Sequence, residues 1–187
     1  MKTDIIVLAS GFSRRFQGNK LLYRIDGIPL IEHTLQKLTK LPANGIYVVT
    51  QYPEIINLAN HYNMTPIMNF EAMTGQASSI RIGLSHSNSD QVLLIVADQP
   101  YIRQETLEAL WNKADGNHIV CVSYQGIVRN PAIFPRKYYS DLLSQQNEQG
   151  GKTVLKKYPQ DILTVECREE ELKDIDTRDD INKGTAD

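Results

Sequence analysis

The chain has 187 residues, with 20 Lys plus Arg against 22 Asp plus Glu and a formal net charge of -2. That length suits one domain with a substantial core, and the even charge balance argues against a dedicated nucleic-acid binder, which carries a basic excess or stripe. Cys121 and Cys167 are the only cysteines; they have no metal-type spacing, and Cys121 reads as a core thiol in an apolar run.

Ile5-Ile6-Val7-Leu8-Ala9 is an apolar run ended by Ser and Gly, which predicts a buried parallel strand. It feeds Ser10-Gly11-Phe12-Ser13-Arg14-Arg15-Phe16 and then Gly18-Asn19-Lys20. Glycine lets backbone N–H groups approach an anion and the cations balance its charge, so this is a candidate phosphate loop; a basic surface turn uses the same residue types. Residues 21–25 read as a short extended segment and Asp26-Gly27 as a turn. Pro29 suits the first turn of a helix, and Leu30, Ile31, Thr34, Leu35 and Leu38 predict an amphipathic helix over 29–40. A strand at 46–50, a helix at 53–61 and a short strand at 65–68 follow.

The loop 69–79 opens a helix bearing Ile80, Ile82, Gly83 and Leu84. Free N–H groups at such a helix start can face an anion; ordinary serine capping is the simpler use of Ser78 and Ser79. Residues 91–97 show no polar alternation, which predicts a central strand buried on both faces. It ends in Asp98-Gln99-Pro100 before a helix over 103–114. An acid at the carboxyl end of a central strand stands where open α/β sheets place ligand chemistry. The last third reads as a strand at 118–124 and an extended piece at 130–134, where Pro131 limits pairing. A helix with Tyr138, Leu142 and Leu143 follows, then one opened by Gly150-Gly151-Lys152 and a strand at 162–165. Glu169-Glu170-Glu171 reads as a solvated acidic turn. Asp174-Ile175-Asp176-Thr177 then precedes a short helical end.

Strands alternating with helices over the first 115 residues predict a right-handed βαβ series and a mostly parallel sheet. The carboxyl ends of the first and central strands then face each other, bringing Arg14 and Lys20 to Asp98. A carboxylate among phosphate-binding cations makes sense with Mg2+ between them, and Asp176 is the candidate second carboxylate. Neither a Walker loop nor a G-x-G-x-x-G fingerprint is present, and His33, His61, His86 and His118 lie in ordinary contexts. With no apolar span of membrane-crossing length and no secretory segment, the expectation is one cytoplasmic domain over 1–187 with no membrane partner.

Leu8-Ala9-Ser10-Gly11-Phe12-Ser13-Arg14-Arg15-Phe16 with Lys20-Leu21-Leu22 resembles the signature of the molybdopterin nucleotidyltransferases, and within them the molybdenum cofactor cytidylyltransferase branch. Asn69 with Gly75, the run Ser78 to Leu84, Ala97-Asp98-Gln99-Pro100, Asn130-Pro131, Gly150-Gly151-Lys152 and Asp174-Ile175-Asp176-Thr177 follow in family order. Ser10 replaces the second alanine of the cytidylyl pattern, and Arg129 stands where relatives tend to have glycine.

The resemblance implies a three-layer α-β-α fold with a Rossmann-like, mostly parallel sheet of the nucleotide-diphospho-sugar transferase type. It implies transfer of CMP from CTP to the phosphate of molybdopterin, with Mg2+ and release of pyrophosphate. Leu8, Ala9, Ser10, Gly11, Ser13, Asn69, Gly75, Ser78 and Ser79 would hold the nucleotide. Arg14, Lys20 and Asp98 would be both nucleotide-binding and catalytic, and Asp98 with Asp176 would hold the metal. Asn130, Gly150, Gly151 and Lys152 would face the acceptor, and a molybdoenzyme would be a transient partner. Another phosphorylated acceptor or GTP is the same-class alternative, and a non-catalytic cofactor carrier the alternative of another class.

Overall fold

The computed structural model describes residues 1–16 and 18–182. Strand β1 (Thr3–Ala9) is buried along its whole length. After it come the glycine loop, a 3-10 turn at Lys20–Leu22, and a small antiparallel ribbon of β2 (Arg24–Ile25) and β3 (Ile28–Pro29). The chain continues through α1 (Leu30–Leu38), β4 (Gly45–Thr50), α2 (Pro53–His61), β5 (Thr65–Met68), α3 (Gln76–His86), β6 (Gln91–Val96) and α4 (Gln104–Lys113). It ends with β7 (Ile119–Tyr124), β8 (Ile127–Pro135), α5 (Tyr139–Leu143), α6 (Gly151–Lys157), β9 (Ile162–Glu166) and α7 (Arg178–Asn182).

Seven strands form one sheet in the order β5-β4-β1-β6-β8-β7-β9. Only β8 runs against its neighbours β6 and β7. Because side chains alternate across a strand, β1 divides its residues between two cores. Ile5, Val7 and Ala9 join Leu30, Ile31, Leu35 and Leu38 of α1, together with Leu107 and Leu110 of α4. Ile6 and Leu8 face the other way, onto Ile80 and Leu84 of α3, in a core that also takes Leu142 of α5 and Val154 and Leu155 of α6. The result is a mostly parallel sheet with helices on both faces, the α/β arrangement expected from the sequence. Among the described residues no helix is long and apolar enough to cross a membrane.

Most boundaries fall within two residues of the sequence reading, and the differences have local causes. Residues 20–22 coil into a 3-10 turn instead of extending, because Asn19 Oδ1 accepts from Leu21 N at 3.1 Å and caps it. Pro29 belongs to the ribbon, so α1 starts at Leu30. Pro131 does interrupt pairing: β8 pairs with β7 at Ala132 and again at Arg129, with a register shift between.

The acidic turn needs correction. Glu171 is 2% exposed. Its carboxylate accepts from Arg103 N and Nε, both at 3.0 Å, from Thr106 Oγ1 at 2.5 Å and from Arg168 N at 3.1 Å. Burial pushes its pKa up, but the bonds from Thr106, Arg168 and Arg103 outweigh it and hold the pKa below the ordinary value. Glu171 thus fastens the C-terminal segment to the start of α4.

Glu171→Ala strands these donors and should cost about 1–3 kcal/mol in urea unfolding, whereas exposed Glu170→Ala should stay within about 0.5 kcal/mol. The sign with pH follows from the lowered pKa. The contribution is present above the unfolded-state value and is lost as pH falls through the folded-state value, so the mutant's deficit should shrink in acid.

Candidate active site

The chain leaves β1 toward β4 on one side, and β6 joins β1 on the other. The carboxyl ends of β1 and β6 therefore flank a topological switch point, where the diverging connections leave a crevice. A cavity of about 340 Å³ lies there, lined by the glycine loop, Lys20, Ser79, Asp98, Glu148 and Asp176. Its backbone is held from behind: Gln51 Nε2 donates to Ser10 O at 2.6 Å and Tyr52 Oη to Gly11 O at 2.7 Å. Ser13 adopts a positive φ of 51°, and its Oγ accepts from Lys20 N at 3.2 Å.

Lys20 is the centre of the charge arrangement. Its Nζ donates to Asp98 Oδ2 at 2.8 Å and to Asp176 Oδ1 at 2.9 Å. Burial lowers its pKa, yet the Asp98 charge and the hydrogen bonds to Asp98 and Asp176 win, and the pKa is raised overall. Arg15 Nη2 takes the other oxygen of Asp176 at 2.6 Å. Asp176 arrives here because the C-terminal segment docks on the extension of β6: Ile175 is fully buried and its N–H donates to Asp98 O at 3.0 Å. Arg14 lines the cavity from an exposed position, with its guanidinium 5.7 Å from the Phe12 ring centroid. Asp174 does not face Lys20 directly; its Oδ1 accepts from Gln99 Nε2 at 2.9 Å.

One wall is a polar knot. Asn69 Nδ2 lies 3.0 Å from both Ser78 Oγ and Ser79 Oγ and 3.3 Å from Ser10 Oγ, and Ser10 Oγ donates to Val49 O at 3.1 Å. Asn69 and Ser78 are buried behind the cavity, whereas Ser10 and Ser79 line it. Leu8 reaches the lining and Ala9 sits in the core. Two glycines let the wall close. At Gly83 a Cβ would run into Ile6 Cγ2, so α3 lies directly on β1. At Gly75, where φ is +91°, a Cβ would strike the backbone of Asn147.

Asn130, Gly150 and Lys152 border a second cavity of about 590 Å³, which shares Gln76 and Glu148 with the first. Gly151 packs under Phe134 instead of lining either cavity. Among the described residues no group of three or more His, Cys, Asp or Glu forms a metal cluster.

Residues 5–162 match the family described as MobA-like NTP transferase domain. The chain belongs to that family. A probable molybdenum cofactor guanylyltransferase from Flavobacterium johnsoniae is 27% identical over 184 residues, covering 94% of this chain and 93% of that protein. The bifunctional protein GlmU of Thermodesulfovibrio yellowstonii is 30% identical over 119 residues, which are 59% of this chain and only 26% of that protein. A solved structure of a nucleotidyl transferase from Methanothermobacter superposes with a TM-score of 0.85 over 97% of this chain and 95% of the other, at 18% identity, a likeness of fold.

In this member of the MobA-like NTP transferase domain family, sequence reading missed Gln51 and Tyr52, Glu148 and the Arg15–Asp176 pair. Gln51 and Tyr52 follow a strand end on the cavity side, which was the available signal. Glu148 comes from a loop with no motif.

Although Asp174 is exposed overall, partial desolvation of its carboxyl and then the Asp98 charge push its pKa up.

Proposed function

We propose that this nucleotidyltransferase moves CMP, in preference to GMP, from the nucleoside triphosphate to the phosphate of a molybdopterin-type acceptor and releases pyrophosphate. The observation that carries the reading is Lys20 between Asp98 and Asp176 at the mouth of the β1–β6 crevice. The preference for CTP rests on the cytidylyl-type motif order. Ser10, the departure from that pattern, spends its hydroxyl on Val49 and Asn69, so its side chain supports the wall.

Two carboxylates meeting at one cationic group are a hard-oxygen donor set of the kind Mg2+ accepts, so the residues fit that ion. Asp98 and Asp176 would hold it, and when bound it would neutralise phosphate charge. Backbone N–H groups of the glycine loop orient the triphosphate, and Arg14 and Lys20 balance its charge. An oxygen of the acceptor phosphate forms a bond to the α-phosphorus. The α–β bridging bond breaks, and pyrophosphate leaves with the electron pair. Charge growing on the α-phosphate oxygens meets the Lys20 ammonium, which is where such preorganised charge lowers a barrier most. The acceptor would occupy the second cavity, beside Asn130, Gly150 and Lys152.

Purified protein with Mg2+, molybdopterin and CTP or GTP should release pyrophosphate faster with CTP. Faster release with GTP overturns the base choice, and release with neither overturns the acceptor. Lys20→Ala should lower kcat by about 10²–10³, the usual cost of a lost electrostatic group. Asp98→Ala should abolish turnover; a carrier protein would keep delivering cofactor without it.

A further inference from the structure

We propose that Lys20 is an internal stand-in for the divalent cation: its ammonium fills the place between Asp98 and Asp176 until a triphosphate draws it away, so cation and nucleotide enter together. This rests on the reading that Asp98 and Asp176 hold the cation. The two carboxylates have side-chain exposures of 25% and 34%, and the ammonium between them belongs to a side chain only 10% exposed. Like charges this close repel, and a buried cation between them offsets that repulsion. The other charges facing the cluster do not replace it. Arg15 reaches Asp176 from a side chain 72% exposed and is screened by water. Asp174 is turned to Gln99.

A divalent cation that arrives alone must evict the ammonium and leave it buried without a partner. The same two carboxylates serve both cations, and the nearby Asp174 carboxylate is engaged by Gln99 and makes no hydrogen bond to the ammonium. Triphosphate oxygens change this balance. They give the ammonium new acceptors within the cavity it already lines, which frees both carboxylates for the incoming ion. Nucleotide and cation therefore bind with positive coupling, and by linkage each strengthens the other by the same factor. Lys20 is the residue through which the coupling acts.

Mn2+ serves as the probe, its free signal followed by electron paramagnetic resonance with the whole chain and no substrate turnover. Without nucleotide, Lys20→Met should bind Mn2+ about tenfold more tightly than the unmodified protein, within the usual range of roughly 5–150-fold for couplings. CTP or GTP should strengthen Mn2+ binding in the unmodified protein and do so much less in Lys20→Met. Lys20→Gln serves in its place if circular dichroism shows that Lys20→Met does not fold. Equal or weaker nucleotide-free Mn2+ binding in the folded variant overturns the proposal. If the unmodified protein binds no Mn2+ even with nucleotide, or Asp98→Asn binds it equally well, the cation reading itself fails.

Discussion

The Lys20 ammonium joins three parts of the chain that are far apart in sequence. It comes from the loop after β1, and its two partners come from the end of β6 and from the C-terminal segment. Each part is delivered by backbone structure first. Leu8 pairs with Val96 across the sheet, and Ala97 N donates to Leu8 O at 3.1 Å, so the two strands end level. Ile175 then binds the backbone of Asp98 and sinks into the core, which leaves Asp176 beside Lys20. The side-chain pairs are consequences of these placements. The exposed Arg15–Asp176 pair adds little to this order, being worth little in water.

The same sheet sets the opposite wall. Ile6 and Leu8 share a face, so α3 packs where β1 sends its even-numbered residues. Gly83 removes the Cβ that would hold the helix off. The start of α3 then stands beside Ser10, and Asn69, from the loop before the helix, ties Ser78 and Ser79 to it. A buried amide among hydroxyls is costly if left unpaired and rigid when satisfied. That rigidity suits a wall that faces a ligand.

The sheet was legible because its strands are near-continuous apolar runs, and the helices because their apolar residues recur at helical spacing. Asp98 was legible from position alone, at the end of the most apolar run. Glu171 was not: its charge says surface, and only a long-range meeting with Arg103 and Thr106 makes burial tolerable. The links from Gln51 and Tyr52 to the loop were hidden for the same reason, since a side chain donating to a distant carbonyl leaves no local pattern. The adjacency of Arg14 and Lys20 to Asp98 followed from topology, but the direct ion pair of Lys20 with both acids did not.

The reversed strand explains why a second cavity opens beside the first. β8 pairs with β6 from Gln91–Pro135 to Leu94–Ala132. Because it runs antiparallel, the residues before Ala132 continue toward the carboxyl end of β6, where Asp98 stands. A parallel strand in this place would bring the residues that follow it to that end, and not those that precede it. The register shift against β7 leaves Asn130 and Pro131 out of the ladder, and the buried Asn130 Oδ1 has no hydrogen-bond partner among the described residues. An unpaired buried acceptor costs stability unless something donates to it. Asn130 borders the second cavity, so a donor on the acceptor molecule would recover that cost at the place where the proposed transfer needs the acceptor to be held.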